Sequence, residues 1–279
     1  MIRKLVGVFF LSLVLCWGFV STALAETIYY ATQSGDIGEY DDVLDTSSLV
    51  GNLGGFSIGQ VIGIAYDANA NRILILDRNA PAVYSMDPAS GTASLLFVPN
   101  ESFQGGAVKG NTLYGINENN QTLVAYDLTT FNPIALTGTS LPGHNHALGV
   151  DPVSGQLISA NGGNGVFAIN DDGSVGADLT SGAAFYEDID FYGSDYIGVR
   201  NGTELYVVDS TTGAESILVT ALQTGLSNII GVAVALGAGG GGNPAPPAPA
   251  TPVPTMSVWG LGILIALMGI VGFNRRRKM

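Results

Sequence analysis

The sequence predicts an all-β fold for residues 26–236, a five-bladed β-propeller, and three observations lead to this prediction. Short runs rich in Val, Ile, Leu and Tyr alternate with turns of Gly, Asn and Asp, a pattern typical of strands. Five such runs begin at residues 63, 106, 149, 188 and 231, so they recur at intervals of 43, 43, 39 and 43 residues. Helical periodicity nowhere extends beyond about ten residues. A repeat of about 42 residues with four strands is typical of one propeller blade, and this region has room for five.

The first complete unit shows the predicted order of four strands, at residues 63–67, 73–76, 83–87 and 93–97. In each unit the third strand ends in an acid or amide, and a tight turn leads to the fourth strand. Asp suits the start of such a turn because its carboxylate accepts backbone N–H groups two residues further on. The four-strand order therefore predicts an antiparallel blade.

The two ends of the repeat region predict how the ring closes. Residues 26–32, 38–41 and 48–51 fit a second, third and fourth strand, but no first strand precedes them. The missing strand is predicted at residues 231–236, from the other end of the region. Pairing the two ends in one blade removes open sheet edges. The alternative is a β-sandwich, which a regular repeat of this length does not favour.

The N-terminus has the features of a secretory signal, predicted as residues 1–25. A basic start is followed by an apolar run at residues 5–20 and by small residues up to Ala25, where signal peptidase is expected to cut. The alternative is a lipoprotein signal that uses Cys16, the only cysteine. Leu15 precedes it where a small residue is expected, which disfavours lipidation.

The C-terminus predicts a membrane segment joined by a spacer. Residues 237–252 are rich in Gly, then in Pro and Ala, which indicates a flexible linker that becomes extended. Residues 256–273 then carry no charge over 18 positions, which is at the short end of what spans a bilayer. A basic tail follows and should stay cytoplasmic, leaving the rest of the chain outside. This tail consists of Arg275, Arg276, Arg277 and Lys278.

A short motif precedes this segment, and its residues are Val253, Pro254, Thr255, Met256, Trp259 and Gly260. It resembles the IPTLxxWG motif of bacterial sorting tails (IPTL-CTERM), with residues 253–279 sharing their plan of motif, apolar helix and arginine cluster. The resemblance implies recognition by a membrane-embedded exosortase-type transpeptidase, which cleaves near the motif. It also implies export across the inner membrane of a Gram-negative bacterium, transient anchoring, and a final place at the cell surface or outside the cell.

Charge and cysteine content exclude several classes of function. Residues 26–236 contain all 23 acidic residues but only four of the ten basic ones, a balance of 4 − 23 = −19. Such a surface repels nucleic acid, so no nucleic-acid partner is expected. The region also lacks Cys, which excludes a disulfide scaffold, thiol catalysis and a cysteine-based metal site.

In a propeller, the connections between strands four and one and between strands two and three lie on one face, which we call the upper face. The sequence places there Ser57, Gln60, Arg78, Asn79, Gln104, Asn117, Glu118, Asn119, Asn120, His144, Asn145, His146, Asn161, Asn164, Tyr186, Glu187, Asp188, Arg200, Asn201 and Asn228. Amides with a few charges and aromatics suit a hydroxyl-rich ligand such as polysaccharide. The alternative is turn chemistry alone, since Asn and Gly tolerate a positive φ. The candidate ligand-binding residues are Arg78, Asn119, His144, His146, Phe185, Tyr186 and Arg200, with Phe185 and Tyr186 as stacking groups.

His144 and His146 are the only histidines, and on an extended segment both would project to the same side. They are therefore candidate metal ligands, with Glu187 or Asp188 as a third ligand, although a solvated loop is the favoured explanation. Calcium or another divalent metal stays an alternative, but residues 170–173 fit a simple Asx turn better than a calcium loop. No Ser-His-Asp order, Cys nucleophile or zincin motif stands out, so no catalytic residue and no firm cofactor is predicted.

The repeats resemble those of secreted bacterial propellers of the NHL, YVTN and lactonase-like superfamily, mostly of unknown function. Lactonase-like members hold a central metal with acids and amides from several blades, and no such set is assigned to residues of this sequence. Three functions follow as hypotheses. We expect a non-enzymatic surface or biofilm-matrix protein that binds glycan or another protein. A metal-dependent lactonase-like hydrolase and a structural spacer without ligand are the alternatives.

Overall fold

The computed structural model describes residues 26–138, 140–143, 145–151, 154–161, 165–180, 185–200, 202, 204–220 and 228–235. These residues form twenty strands in five antiparallel sheets of four. In chain order the strands are β1 (Thr27–Thr32), β2 (Asp36–Asp41), β3 (Thr46–Asn52), β4 (Val61–Asp67), β5 (Arg72–Asp77), β6 (Ala82–Met86), β7 (Ala93–Phe97), β8 (Phe103–Lys109), β9 (Thr112–Asn117), β10 (Leu123–Asp127), β11 (Pro133–Ile134), β12 (Asn145–Val150), β13 (Leu157–Asn161), β14 (Gly165–Ile169), β15 (Val175–Asp178), β16 (Asp188–Tyr192), β17 (Asp195–Arg200), β18 (Glu204–Val208), β19 (Glu215–Thr220) and β20 (Ile229–Ala235).

The sheets form the predicted ring of five blades. Blades 1 to 4 run in order through β4–β7, β8–β11, β12–β15 and β16–β19, and blade 5 has the order β20-β1-β2-β3. The first strands of neighbouring blades contact each other in a closed cycle, from β4 through β8, β12, β16 and β20 back to β4. These five inner strands therefore surround a central axis, and the prediction of a five-bladed propeller is confirmed.

Blade 5 joins the two ends of the described chain. β20 pairs antiparallel with β1, with Thr27 opposite Ala235 and Ala31 opposite Gly231. The prediction that the C-terminal segment supplies the missing first strand is confirmed. Because Thr27 and Ala235 are paired, the chain enters and leaves the propeller at the same place, on the lower face.

Aromatic side chains fill the interfaces between blades. Tyr29 of blade 5 stacks on Tyr66 of blade 1, with 5.8 Å between ring centroids. Phe97 of blade 1 packs against Tyr126 of blade 2 at 5.2 Å. Aromatic pairs at these distances stabilise the fold beyond the effect of the apolar area that they bury.

Among the residues that the structure describes, no helix has the length and apolarity needed to cross a membrane.

The turns from third to fourth strands follow the predicted Asp chemistry. The carboxylate of Asp87 accepts the backbone N–H groups of Ala89 and Ser90, at 2.8 and 3.4 Å. Asp127 and Asp209 bond the second and third residues after them in the same way. The fifth residue of these turns has a positive φ: 65° at Gly91, 58° at Phe131 and 72° at Gly213.

The register of the inner strands corrects the predicted repeat. In every blade one residue of the first strand pairs with the penultimate residue of the second strand, and these residues are 63, 104, 147, 188 and 231. Their intervals are 41, 43, 41 and 43. The anchors predicted at residues 106 and 149 are wrong by two positions. Small residues recur along each inner strand, and β8 and β12 each carry a register irregularity, so the sequence pattern does not fix the alignment.

Close approach of the inner strands requires small residues near the axis. A Cβ atom on Gly63 would lie 3.0 Å from the Cα atom of Gly105, and one on Gly149 would lie 2.7 Å from the carbonyl oxygen of Ile189. β16 instead carries Asp188 and Asp190. At the two equivalent positions the other inner strands carry Gly63 and Ala65, Gln104 and Ala107, Ala147 and Gly149, and Gly231 and Ala233.

The two carboxylates of β16 fill the space that the small residues leave. Asp188 Oδ2 accepts the backbone N–H groups of Ile64 in blade 1, at 3.3 Å, and of Val232 in blade 5, at 3.1 Å. Asp190 Oδ2 accepts the N–H group of Val234 at 2.8 Å, and Asp190 also bonds the backbone of Val150 in blade 3. These N–H groups lie on strands without a further neighbour in their own sheet, so the carboxylates satisfy donors that would otherwise be buried and unpaired.

Burial makes ionisation of these two groups unfavourable. It raises the pKa of Asp188 well above its usual range, and it raises the pKa of Asp190 to about 7, although the backbone N–H bonds oppose the shift in both. Asp190 adds to the shift at Asp188, and Glu26 adds to the shift at Asp190. The folded protein therefore holds these protons more tightly than the unfolded chain does.

We expect stability to depend on Asp190 between pH 4 and pH 7. Because the pKa of Asp190 is higher in the folded state, its contribution to the free energy of unfolding is present below pH 4 and lost as the pH rises through 7. One such group gives a slope of at most about 1.4 kcal/mol per pH unit. Denaturant unfolding of Asp190→Asn should show a smaller pH slope than the wild type, with the remaining slope due mainly to Asp188.

The matched control is Asp127→Asn in an exposed turn, where backbone and side-chain hydrogen bonds lower the carboxyl pKa. That substitution should leave the slope between pH 5 and pH 7 unchanged. An Asp190→Asn slope equal to that of the wild type would contradict the assignment.

The closure of the ring predicts the effect of a truncation. A variant that spans residues 26–226 lacks β20, so β1 loses one of its two partner strands and becomes a sheet edge. Asp188 and Asp190 also lose two of their N–H donors. We expect it to lose cooperative thermal unfolding in circular dichroism, whereas a variant that spans residues 26–236 keeps it. Equal melting of the two would show that the closure does not hold the ring together.

Candidate functional site

A cavity of about 230 Å³ opens on the upper face, beside the upper ends of the inner strands of blades 1, 4 and 5. Its lining combines amides, two charged groups and three buried isoleucines. The lining residues are Gln33, Gln60, Ile62, Arg78, Glu187, Gly202, Asn228, Ile229 and Ile230. Five of these nine residues carry polar side chains, so the cavity offers hydrogen bonds more than apolar surface.

Backbone hydrogen bonds fix the segments that carry these side chains. The N–H group of Gln33 donates to the carbonyl oxygen of Asn228 at 2.9 Å, and that of Arg78 donates to the carbonyl oxygen of Gln60 at 2.9 Å. Gln60 also donates its own N–H to the buried carboxylate of Asp77, at 2.9 Å. The loops around the cavity are therefore held by their backbones, which leaves the side chains to meet a ligand.

The polar side chains of the cavity have unused hydrogen-bonding capacity. Among the described residues, none is hydrogen-bonded to the side-chain amides of Gln33 and Asn228 or to the carboxylate of Glu187. Gln60 Oε1 accepts only a long bond of 3.4 Å, from the amide of Asn79. Each amide both donates and accepts. The cavity thus offers donors and acceptors to a bound molecule without breaking strong internal bonds.

Arg78 is the basic residue of the cavity, and its charge is already matched. Its guanidinium forms an ion pair with Glu118, which also accepts a hydrogen bond of 3.1 Å from the hydroxyl of Ser102. The bond to Glu118 raises the pKa of Arg78, burial opposes this, and Glu187 contributes in the same direction as Glu118. Arg78 lies on the upper face, where the sequence placed it. Its guanidinium is paired with Glu118, and the residue also lines the cavity.

The structure corrects the prediction for Tyr186. Its side chain is 2 % exposed and packs between blades 3 and 4, so it cannot stack on a ligand. Its hydroxyl donates to Glu215 Oε1 at 2.5 Å. The ring occupies the space over Gly198, where a Cβ atom would lie 2.5 Å from Tyr186 Cδ1. Glycine inside a strand often marks such a close approach, and this was the available signal.

Arg200 contacts residues of its own blade and does not line the cavity. Its Nη1 atom lies 2.8 Å from Glu215 Oε2, and its guanidinium lies over the ring of Tyr206, 4.5 Å from the centroid. The predicted grouping of Arg200 with Arg78 is therefore wrong. Phe185 is half-buried, and Asn119 is exposed on the upper face but outside the cavity lining.

Three other residues predicted on the upper face are buried and serve the fold. Asp188 is 0 % exposed and bonds the inner strands, as described above. Gln104 accepts a bond of 2.9 Å from the amide of Gln121, and Asn117 accepts one of 2.8 Å from the backbone of Asn119. Polar residues in these connections are thus divided between structural bonds and the cavity, which the sequence does not distinguish.

The predicted histidine pair is not tested. His144 and the side chain of His146 lie outside the described residues, so their role as metal ligands stays a prediction. Within the described part of the chain, no group of three or more His, Cys, Asp or Glu residues could hold a metal ion. Asp188, named as a third ligand, has both carboxylate oxygens engaged by backbone N–H groups.

The sequence did not indicate Gln33 or the isoleucines of the cavity lining as site residues. Gln33 lies in the connection from β1 to β2, which is a second-to-third connection of blade 5 and therefore belongs to the upper face. Placing β1 as a second strand was the signal that could have found it. Ile62, Ile229 and Ile230 lie at the start of inner strands, where apolar residues are expected in any case, so nothing in the sequence marks them as cavity residues.

Comparison with known proteins supports the tail and the fold separately. Residues 251–278 match the IPTL-CTERM motif, which confirms the predicted sorting motif, although these residues lie outside the described part. No curated protein matches the sequence. The fold is similar to that in the crystal structure of a nidogen/laminin complex, with a TM-score of 0.56 and 13% identity, over 76% of this chain and 99% of that chain. TolB from Acinetobacter baumannii gives a TM-score of 0.47 and 17% identity, over 71% of this chain and 55% of that one.

These comparisons define a class of protein. At 13% identity the similarity to the nidogen/laminin complex concerns the fold alone. The IPTL-CTERM motif implies export and membrane-anchored sorting by an exosortase-type enzyme. The chain is therefore a five-bladed propeller that carries a sorting tail, and it is a cell-surface protein.

The motif predicts how the tail is processed. Mass spectrometry of the form released by the native host should show loss of everything beyond the motif, because the transpeptidase cleaves near it. A Pro254→Ala/Thr255→Ala variant changes two recognition residues and should keep the full C-terminus. If the released wild-type protein still ends in Lys278 and Met279, the tail is an unprocessed membrane anchor.

Proposed function

We propose that this protein is a non-enzymatic binding protein of the cell surface or extracellular matrix, which holds a glycan at the cavity of its upper face. Signal peptidase releases it at Ala25 after export across the inner membrane of a Gram-negative bacterium. The tail anchors it transiently until the exosortase-type enzyme acts. The observation that carries the proposal is the cavity. Among the described residues, none is hydrogen-bonded to the side-chain amides of Gln33 and Asn228, so these amides can bond a ligand.

The chemistry of the lining suits a sugar. Hydroxyl groups both donate and accept hydrogen bonds, and so do the side-chain amides of Gln33, Gln60 and Asn228. Ile62 and Ile229 are each 1 % exposed, so they add little apolar surface and the hydrogen bonds carry the proposal. A glycan finds donors and acceptors for its hydroxyl groups in one small space.

The size of the cavity suits one unit of a longer chain. Its volume of about 230 Å³ lies below the range of about 300–1,000 Å³ usual for pockets that enclose a whole drug-sized ligand. A polysaccharide that places one residue or one chain end in the cavity fits this limit. The remainder of the polymer would lie over the upper face, where Asn119 and other exposed amides are found.

The position of the chain ends supports a role in contact with the surroundings. Thr27 and Ala235 are paired at the lower end of blade 5, and Asn228 and Gln33 lie at its upper end. The described chain therefore enters and leaves the propeller on the face opposite the cavity, so its two ends do not cover the cavity.

The proposal predicts that cavity amides control affinity. In the full chain, purified in a polyoxyethylene detergent that contains no sugar, Gln33→Ala and Gln60→Ala should each weaken binding of exopolysaccharide extracted from the host. Loss of one hydrogen bond of about 1 kcal/mol corresponds to an affinity about fivefold lower in calorimetry. Asn132→Ala is the matched control, since it removes an exposed amide on the lower face, away from the cavity.

The alternatives give different results in the same experiment. Unchanged affinity in both cavity variants would contradict the site. A stoichiometric metal by elemental analysis, lost in a His144→Ala/His146→Ala variant together with lactone hydrolysis, would indicate the hydrolase. Absence of any binding or metal would leave the structural spacer.

A further inference from the structure

Glu187 is the polar group of the cavity whose charge is least compensated. It directly precedes β16, and its backbone N–H donates to the carbonyl oxygen of Val199 at 2.8 Å, which fixes the start of the side chain. The side chain is half-buried and lines the cavity. No hydrogen bond to its carboxylate comes from the residues that the structure describes. A carboxylate that is partly removed from water without such bonds is unfavourable.

The charges around the cavity leave a net negative value. Arg78 carries one positive charge, and its ion pair with Glu118 already compensates it. Burial raises the pKa of Glu187, and Arg78 lowers it, so Arg78 relieves Glu187 only in part. The domain around the cavity carries a balance of −19 over residues 26–236. A cation therefore meets a favourable potential both at a distance and at the site.

The neighbours of Glu187 define the rest of the ligand. Amide oxygens of Gln33, Gln60 and Asn228 can accept further bonds, and an ammonium group donates three. The same amides can bond hydroxyl groups. A metal ion is a poorer match, since Glu187 is the single carboxylate in the lining. A ligand with one ammonium group among hydroxyls uses all of these features.

We propose that the cavity binds an amino sugar with a free, protonated amine, as a unit of a partly de-acetylated polysaccharide, and that Glu187 accepts its ammonium group. This inference rests on the proposed function, because it names the class of glycan bound at the same site. Acidic sugars such as uronates are disfavoured by the same charge on Glu187. The neutral units of the polymer contact the amides, and the amine provides specificity.

The test compares three oligosaccharides of equal length by calorimetry: β-1,4-linked glucosamine, N-acetylglucosamine and glucose. It uses the full chain in the same sugar-free detergent, at pH 6 and low ionic strength. We expect the affinity for the glucosamine oligomer to be at least about tenfold higher than for the other two, because charge-assisted hydrogen bonds are stronger than neutral ones. Added salt should reduce this difference, because it screens a half-exposed ion pair.

Variants at one position separate the carboxylate from the rest of the site. Glu187→Gln keeps the shape and should abolish the preference for glucosamine, so that the three oligomers bind with similar affinity. Glu187→Asp keeps the charge and should retain part of the preference. Asp178→Asn is the charge-matched control, since Asp178 lies exposed on the outermost strand of blade 3, and it should retain the full preference.

Each other outcome overturns the inference in a recognisable way. Equal binding of all three oligomers, unaffected by Glu187→Gln, would refute it and leave the proposed glycan site intact. A preference that survives Glu187→Gln but falls in Asp178→Asn would assign it to the general surface charge. Failure of all three oligomers and of the extracted exopolysaccharide to bind would refute the proposed function as well.

Discussion

The architecture depends on how closely five inner strands approach one axis. Glycine and alanine make the approach possible in four blades, and it leaves backbone N–H groups of these strands facing inward without sheet partners. Asp188 and Asp190 of β16 supply the acceptors, and Asp188 reaches across the axis to Ile64 in blade 1. The cost is two carboxyl groups held in a position that disfavours their ionisation. The ring is therefore asymmetric at its centre, since one blade provides what the other four need.

The same constraint determines where a ligand can lie. Because Asp188 and small residues occupy the axis, the cavity lies at the upper ends of the inner strands, where these strands meet their connections. Gln60, Glu187 and Asn228 each directly precede an inner strand, so the packing of the axis also sets the spacing of the cavity walls. Rigid strands with polar residues at their ends are a common way to build a binding site, because the scaffold positions the loops.

The sequence could predict features that depend on local chemistry or on the number of strands. The Asp turns, the blade count and the closure by β20 belong to this group, since each follows from a repeated pattern. Features that depend on tertiary packing could not be predicted in this way. Gly198 admits the ring of Tyr186 from outside its own strand, and small residues at both Ala147 and Gly149 allow a two-residue error in register. Gln104 and Gln60 are residues of the same type near the upper ends of neighbouring inner strands, and only packing separates the buried structural residue from the one that lines the cavity.

The pairing of β20 with β1 has a mechanical consequence. A pull on the chain after Ala235, resisted by a ligand held at the opposite face, acts along the axis of β20 and not across it. The hydrogen bonds between β20 and β1 then share the load in shear, instead of breaking one after another as in a hairpin peeled from its end. The side chains of Asp188 and Asp190 add lateral bonds to Val232 and Val234 in the loaded strand. The strand that closes the ring is thus also the one best placed to transmit tension from the tail to the body of the propeller.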